Sequence, residues 1–183
     1  MFRFRSMPTL SRFAASVVAS LTLASAAHAH DPSESWTEVI VHADKIELLV
    51  TMAQANALRL IDALTKNAEL TPENFAQHRT KLVAAGAKLF AITSLKQPLA
   101  AQRVDVVLTE ENDVAYKIIF PRPAPGLLMF EAAFIKQLGD GFGGIIDASD
   151  TEGHHLGWEQ LSPESATLVV MLSKLGEAPP KKS

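Results

Sequence analysis

The stretch LLMFEAAFIKQLGDGFGGIIDASDTEGHHLGWEQL, residues 127–161, decides the fold. It begins with an apolar run at 127–138 and continues through the one glycine-dense segment of the chain, at 139–144. A second apolar run at 144–148 follows, and glycines supply the backbone conformations that a tight turn requires. The sequence therefore predicts the longest β-hairpin of the domain here, with residues 127–138 as its first strand.

Outside this stretch, short strands separated by turns account for most of the chain. Runs of β-branched, aromatic and alternating apolar residues predict strands at 36–41, 46–52, 89–93, 102–109, 114–120 and 167–172. Apolar residues at helical spacing predict one helix near 57–64, and Thr71 followed by Pro72 predicts a second that ends at Gly86. We therefore predict a mostly β protein, an antiparallel, immunoglobulin-like β-sandwich of about eight strands with a two-helix insertion.

The first 29 residues have the features of a signal peptide. A basic segment precedes an apolar run at 13–23, and Ala27-His28-Ala29 forms an A-x-A cleavage site. Cleavage there predicts a single domain at 30–175 and a disordered tail at 176–183, while cleavage before Ala27 stays an alternative. We expect a periplasmic or secreted protein without stable membrane insertion after cleavage, because no second apolar run is long enough to span a bilayer.

The predicted mature chain is acidic and contains no cysteine. Removing the three arginines of the signal peptide leaves 14 basic residues (17 − 3) against 20 acidic ones, a net charge of −6. This balance argues against nucleic acid as a partner, because no basic patch exists to neutralise phosphates. The absence of cysteine excludes disulfides, thiolate metal sites and thiol redox chemistry.

The order of the segments resembles a known family. The similar parts begin with a signal peptide that ends near Ala-His and the strand pair at 36–52. They continue with the helical segment at 70–86 that begins LTPEN, the strand and turn at 89–98, and the stretch at 127–157. They resemble the exported N-terminal β-sandwich domain of HupE/UreJ-like membrane proteins, although the membrane part of that family does not follow in this sequence. The resemblance implies a place at the cell envelope, an envelope membrane protein as partner and a link to nickel or other metal handling. It implies no catalytic residues.

The glycines of the central stretch match a nucleotide-binding fingerprint. Gly139, Gly141 and Gly144 fit G-x-G-x-x-G, which binds a dinucleotide only where it follows a first strand and opens a helix. The residues after Gly144 are strand-like, so we predict a hairpin turn and no dinucleotide cofactor.

Histidines supply the candidate metal ligands. His154 and His155 are adjacent, and cleavage before His30 would create an N-terminal histidine whose amine and imidazole chelate copper together. Imidazole binds Cu, Ni or Zn, so His30, His154 and His155 are the predicted metal residues and Cu or Ni the predicted ion, with His28 and His42 as further companions. The alternative is that His154 and His155 are solvated loop residues.

No pattern in the chain indicates nucleophilic catalysis, since it contains no G-x-S-x-G and no cysteine. Trp36 and Trp158 are predicted to fill the core or an edge of the sandwich, and a ligand platform is the alternative. The leading hypothesis is an exported, non-enzymatic binding or interaction module of the cell envelope, linked to Ni or Cu handling. Two alternatives stay open: a copper-binding protein or copper-dependent enzyme that uses His30, and a purely structural protein-interaction module.

Overall fold

The structure is a computed structural model that describes residues 33–65 and 69–173. These residues form ten strands and three helices. The strands are β1 (Glu34–Val41), β2 (Lys45–Ala53), β3 (Phe90–Ser94), β4 (Gln97–Leu99), β5 (Arg103–Leu108), β6 (Asp113–Pro121), β7 (Gly126–Ala132), β8 (Gly143–Asp150), β9 (His155–Leu161) and β10 (Thr167–Leu172). The helices are α1 (Gln54–Leu60), α2 (Pro72–Gly86) and α3 (Ala133–Leu138).

The strands form two sheets around one apolar core. The larger sheet has the order β5-β6-β2-β1-β8-β9, and the smaller has the order β10-β7-β3-β4. All neighbouring strands are antiparallel except β1 and β8, which run parallel. The predicted mostly β sandwich with a helical insertion is confirmed, and β4 and β9 are strands that the sequence did not predict.

Buried and more exposed residues alternate along β1 and β2, so the six-stranded sheet has one buried face and one outer face. In β1, Ser35, Thr37, Val39 and Val41 are buried, and the residues between them are exposed or half-buried. In β2 the buried residues again occupy every second position. The two strands pair antiparallel, as predicted for residues 36–52. Burial of each large aliphatic side chain on the inner face stabilises the sandwich by about 1.5–3 kcal/mol.

The two predicted helices of the insertion connect β2 to β3. As predicted, Thr71 caps α2, since its hydroxyl accepts a hydrogen bond from the backbone N–H of Asn74 and Pro72 begins the first turn. The helix packs against β5 and β6. Its last residue, Gly86, lies so close to the sheet that a Cβ there would be 2.8 Å from Cδ1 of Tyr116. The helix thus covers part of the inner face of the six-stranded sheet.

The predicted hairpin at residues 127–161 is wrong. β7 ends at Ala132 and the chain continues as α3, so β7 belongs to the four-stranded sheet and β8 to the six-stranded one. The sequence AFIKQL of α3 is rich in good helix formers. Its Phe134 packs between Phe90 and Phe142, at ring-centroid distances of 5.6 and 6.1 Å. β8 pairs instead with β1 and with β9.

Each glycine of the G-x-G-x-x-G match has a backbone role. Gly139 and Gly141 have φ of 88° and 79°, a region that residues with a Cβ rarely adopt. Gly144 allows a close approach, because a Cβ there would lie 2.5 Å from the carbonyl oxygen of Ser35 on β1. The glycines lead into strand β8, whereas the dinucleotide fingerprint opens a helix.

The predicted signal peptide at 1–29, His30 and the predicted tail at 176–183 lie outside the described residues. Among the residues that the structure describes, no helix is long and apolar enough to cross a membrane.

We expect Gly144→Ala to lower the free energy of unfolding by about 3 kcal/mol, because the new methyl group overlaps backbone atoms of β1 that the sheet holds in place. Gly153→Ala is the control. Nothing lies within 4 Å of a Cβ at Gly153, whose φ is 82°, so that variant pays only for the left-handed backbone, about 1 kcal/mol. Urea unfolding of both variants measures the difference, and equal losses would contradict the close β1–β8 approach.

Candidate functional site

The two predicted metal ligands of the described chain lie at the turn between β8 and β9, and each contacts its own carboxylate. Nδ1 of His154 lies 2.9 Å from Oδ2 of Asp150, while the other oxygen of Asp150 accepts the backbone N–H groups of Glu152 and His154 at 2.9 Å. Nε2 of His155 lies 3.1 Å from Oδ1 of Asp147 on β8. The histidines are adjacent in sequence, but their carboxylate partners differ.

The contact between His154 and Asp150 changes both pKa values. The hydrogen bond that Nδ1 of His154 donates to the carboxylate of Asp150, together with the negative charge of that carboxylate, raises the pKa of His154 above its usual 6.5. For Asp150, partial burial acts to raise the pKa. The hydrogen bonds that it accepts from the side chain and backbone of His154 and from the backbone of Glu152 outweigh that effect and hold the value below 3.8.

The described residues do not assemble a metal site around these histidines. No group of three or more His, Asp or Glu side chains within 33–65 and 69–173 is arranged to hold a metal ion. The proposed companion His42 lies at the turn between β1 and β2, with Nε2 3.8 Å from Oε2 of Glu47. His30 lies outside the described residues, so the copper or nickel site at His30, His154 and His155 stays a prediction.

Two pockets open on the described surface. One, of about 320 Å³, lies between the three helices and is lined by apolar residues with Asp62, Lys81 and Lys88 at its rim. The other, of about 370 Å³, adjoins the glycine turn, and its lining includes three carboxylates, those of Glu34, Asp140 and Glu164. Carboxylates repel a phosphate, so this second pocket is unsuited to the pyrophosphate that the glycine motif binds elsewhere.

The outer face of the four-stranded sheet is apolar and nearly uncharged. Its register forms one row across all four strands, from Val169 through Met129 and Thr93 to Pro98. A second row pairs Met171 with Leu127, beside Leu95. We call this surface the aliphatic face, and its members are Thr93, Leu95, Pro98, Leu127, Met129, Val169 and Met171.

Several large side chains of the aliphatic face are open to solvent. Leu127 and Val169 are each 53% exposed, and Leu95 is 59% exposed. The one charged residue in the adjoining row is Glu131, which pairs with Nζ of Lys136 at 3.1 Å. Exposed apolar surfaces of this kind are typical of interaction sites in folded proteins.

The outer face of the six-stranded sheet carries both tryptophans of the chain. Trp36 on β1 is 41% exposed and Trp158 on β9 is 60% exposed. A core position is therefore wrong for both, whereas the predicted edge position fits Trp158, since β9 is an edge strand of this sheet. The physical reason is register: Trp36 alternates with the buried Ser35 and Thr37, and Trp158 pairs with Asp147, which faces outward.

For both outer faces, the sequence contains a pattern that indicates the exposure of their side chains. Trp36 lies two residues from Glu38, and in a strand such residues share a face, which indicates a solvated position for the indole. The β10 segment TLVVML is apolar at consecutive positions, a pattern typical of strands that are covered on both faces. The described residues cover only the inner side of β10, and its outer residues Val169 and Met171 are exposed.

The chain matches no family model, and no characterised protein matches it significantly. The resemblance to HupE/UreJ-like proteins therefore stays a prediction.

The ion pair of His154 and Asp150 predicts a pH-dependent stability. Because the folded pKa of His154 is raised, its contribution is complete below about pH 6.5 and is lost as the pH rises through the folded value. Because the folded pKa of Asp150 is lowered, its contribution is present above about pH 3.8 and is lost as the pH falls through the folded value. We therefore expect Asp150→Asn to lower the melting temperature more at about pH 6 than at about pH 8.

Thermal melts at both pH values measure this difference. Asp140→Asn, at an exposed position of the glycine turn, is the control and should shift the melting temperature equally at the two values. A constant difference between wild type and Asp150→Asn would contradict the ion pair.

Proposed function

We propose that this protein is an exported, non-enzymatic interaction module that binds an envelope membrane protein through the aliphatic face. The observation that carries the proposal is the exposure of aliphatic side chains on two adjacent strands. Leu127 of β7 and Met171 of β10 are paired in register, and they are 53% and 45% exposed, respectively. Burying such side chains on a partner contributes about 25 cal/mol per Å² of apolar surface removed from water.

The composition of the aliphatic face favours a protein partner over the other classes of ligand. Its seven members include neither a charged nor an aromatic side chain, so a nucleic acid has no cation to contact there. The surface is an open sheet face, whereas small-molecule sites are concave. An apolar surface on another protein fits such a face by shape and by hydrophobic burial.

Two features of the sequence support the proposed location of the partner. The predicted signal peptide at 1–29 supports export to the periplasm or beyond, and the resemblance to HupE/UreJ-like proteins supports an envelope membrane protein as the partner. A link to nickel or copper rests on His30, His154 and His155 and is independent of the aliphatic face.

Photo-crosslinking from two matched valines tests the proposal. Val169 on β10 and Val107 on β5 are 53% and 55% exposed, and both lie on the outer face of an edge strand, but on different sheets. A photoreactive residue at 169, in the mature chain mixed with native envelope membranes, should give one discrete product that mass spectrometry identifies as an envelope membrane protein. The same residue at 107 should give none.

The binding measurement uses the same two positions. Val169→Asp should weaken binding to the identified protein by about 2 kcal/mol, since it places a charge in an apolar interface. Val107→Asp should leave binding unchanged, and both variants should melt within a few degrees of wild type. Three crosslinking results would contradict the proposed partner: equal products from positions 107 and 169, no product, or only a covalent dimer of this chain. Turnover of a substrate in an activity screen would contradict the non-enzymatic role of this protein.

A further inference from the structure

A second surface, on the opposite sheet, has a different chemistry. The parallel register of β1 and β8 places Trp36 beside Ile145 and Glu38 beside Asp147. The antiparallel register of β8 and β9 places Ile145 beside Gln160 and Asp147 beside Trp158. We call these six residues the tryptophan grid. It consists of two rows of three side chains on the outer face of the sheet: Trp36, Ile145 and Gln160, and then Glu38, Asp147 and Trp158.

The two indoles occupy diagonal corners of the grid. They are separated by two strand spacings and two residues, a Cα separation of about 12 Å in a regular sheet. Ile145 and Asp147 lie between them, and Glu38 and Gln160 occupy the other two corners. The grid therefore presents two aromatic surfaces with hydrogen-bonding groups beside each.

The charge around the grid is negative. On the other half of the same face, the cations already have partners: Nζ of Lys117 lies 2.5 Å from Oε1 of Glu47, and Nε of Arg103 lies 2.6 Å from Oδ2 of Asp105. No Lys or Arg belongs to the grid, and among the described residues the ion pairs bring one basic side chain to it, that of His155 at Asp147. Phosphates, anionic lipid and acidic polymers are therefore disfavoured there.

We propose that the tryptophan grid binds a non-acidic oligosaccharide. The apolar C–H face of a sugar ring stacks on an indole, which provides a large, rigid contact area. Sugar hydroxyls donate hydrogen bonds to the carboxylates of Glu38 and Asp147, and the amide of Gln160 both donates and accepts. An open sheet face suits an extended chain that crosses several strands, and the two separated indoles hold it at two points. The proposal is independent of the aliphatic face, because the grid lies on the other sheet.

Intrinsic fluorescence tests the proposal directly, since the chain contains two tryptophans and both belong to the grid. The mature protein is titrated with three probes of equal length: a glucosamine hexamer, an N-acetylglucosamine hexamer and a galacturonic acid hexamer. The first two should shift and saturate the tryptophan emission, and the cationic glucosamine hexamer should bind more tightly because of the acidic grid. The galacturonic acid hexamer should cause no saturable change.

Variants assign the binding to the grid. Trp36→Ala and Trp158→Ala should each weaken binding by about tenfold, the loss expected from removing one aromatic contact, while the remaining indole reports the titration. Val107→Ala, on the same outer face but outside the grid, should bind as the wild type does. Circular dichroism should show that all three variants are folded, because each substituted residue lies on the outer face and is at least 41% exposed.

Three results would overturn the proposal. The first is no saturable change with either non-acidic hexamer. The second is equal binding of the acidic hexamer. The third is binding of a lysine hexapeptide with neither non-acidic sugar bound, which would assign the grid to a cationic protein segment.

Discussion

The parallel pairing of β1 with β8 is the contact on which the six-stranded sheet depends. It joins β5-β6-β2-β1, built from antiparallel pairs, to the β8-β9 hairpin, which lies about a hundred residues later in the chain. The close contact favours a glycine, because a Cβ of residue 144 would lie 2.5 Å from the carbonyl oxygen of Ser35. Without this pairing, Trp36 and Trp158 would belong to separate sheets and the tryptophan grid would not exist.

The sandwich presents two outer faces of different character. The inner faces share one core, in which Phe130 and Tyr116 are fully buried. One outer face is aliphatic and almost without charge, and the other carries both indoles with carboxylates between them. A binding module with two such faces can hold a protein on one side and a different chemical class on the other. The turn with His154 and His155 lies at the end of β8, and both histidines contact carboxylates of that strand.

Local features were predictable from the sequence and long-range features were not. The hairpin of β1 and β2 and the Thr71 cap follow from residue spacing over a few positions. The run at 127–138 is apolar throughout, and such a run does not distinguish a strand from a strand followed by a helix. The β1–β8 pairing joins residues about a hundred positions apart, which no local pattern encodes. The exposure of Trp36 was predictable, because Glu38 lies two residues away on the same face of the strand. The large apolar side chain of Trp36 favoured a buried position instead.

An engineered disulfide tests the β1–β8 register most directly, because the chain contains no cysteine of its own. Glu38 and Asp147 are register partners on the outer face, so their Cα atoms lie about 5 Å apart, within the range that a disulfide spans. Glu38→Cys with Asp147→Cys should oxidise in air and lose both free thiols to alkylation. Glu38→Cys with Ser149→Cys, two residues out of register at about 8 Å, should keep both. The reverse result would contradict the register of β1 and β8, and with it the tryptophan grid.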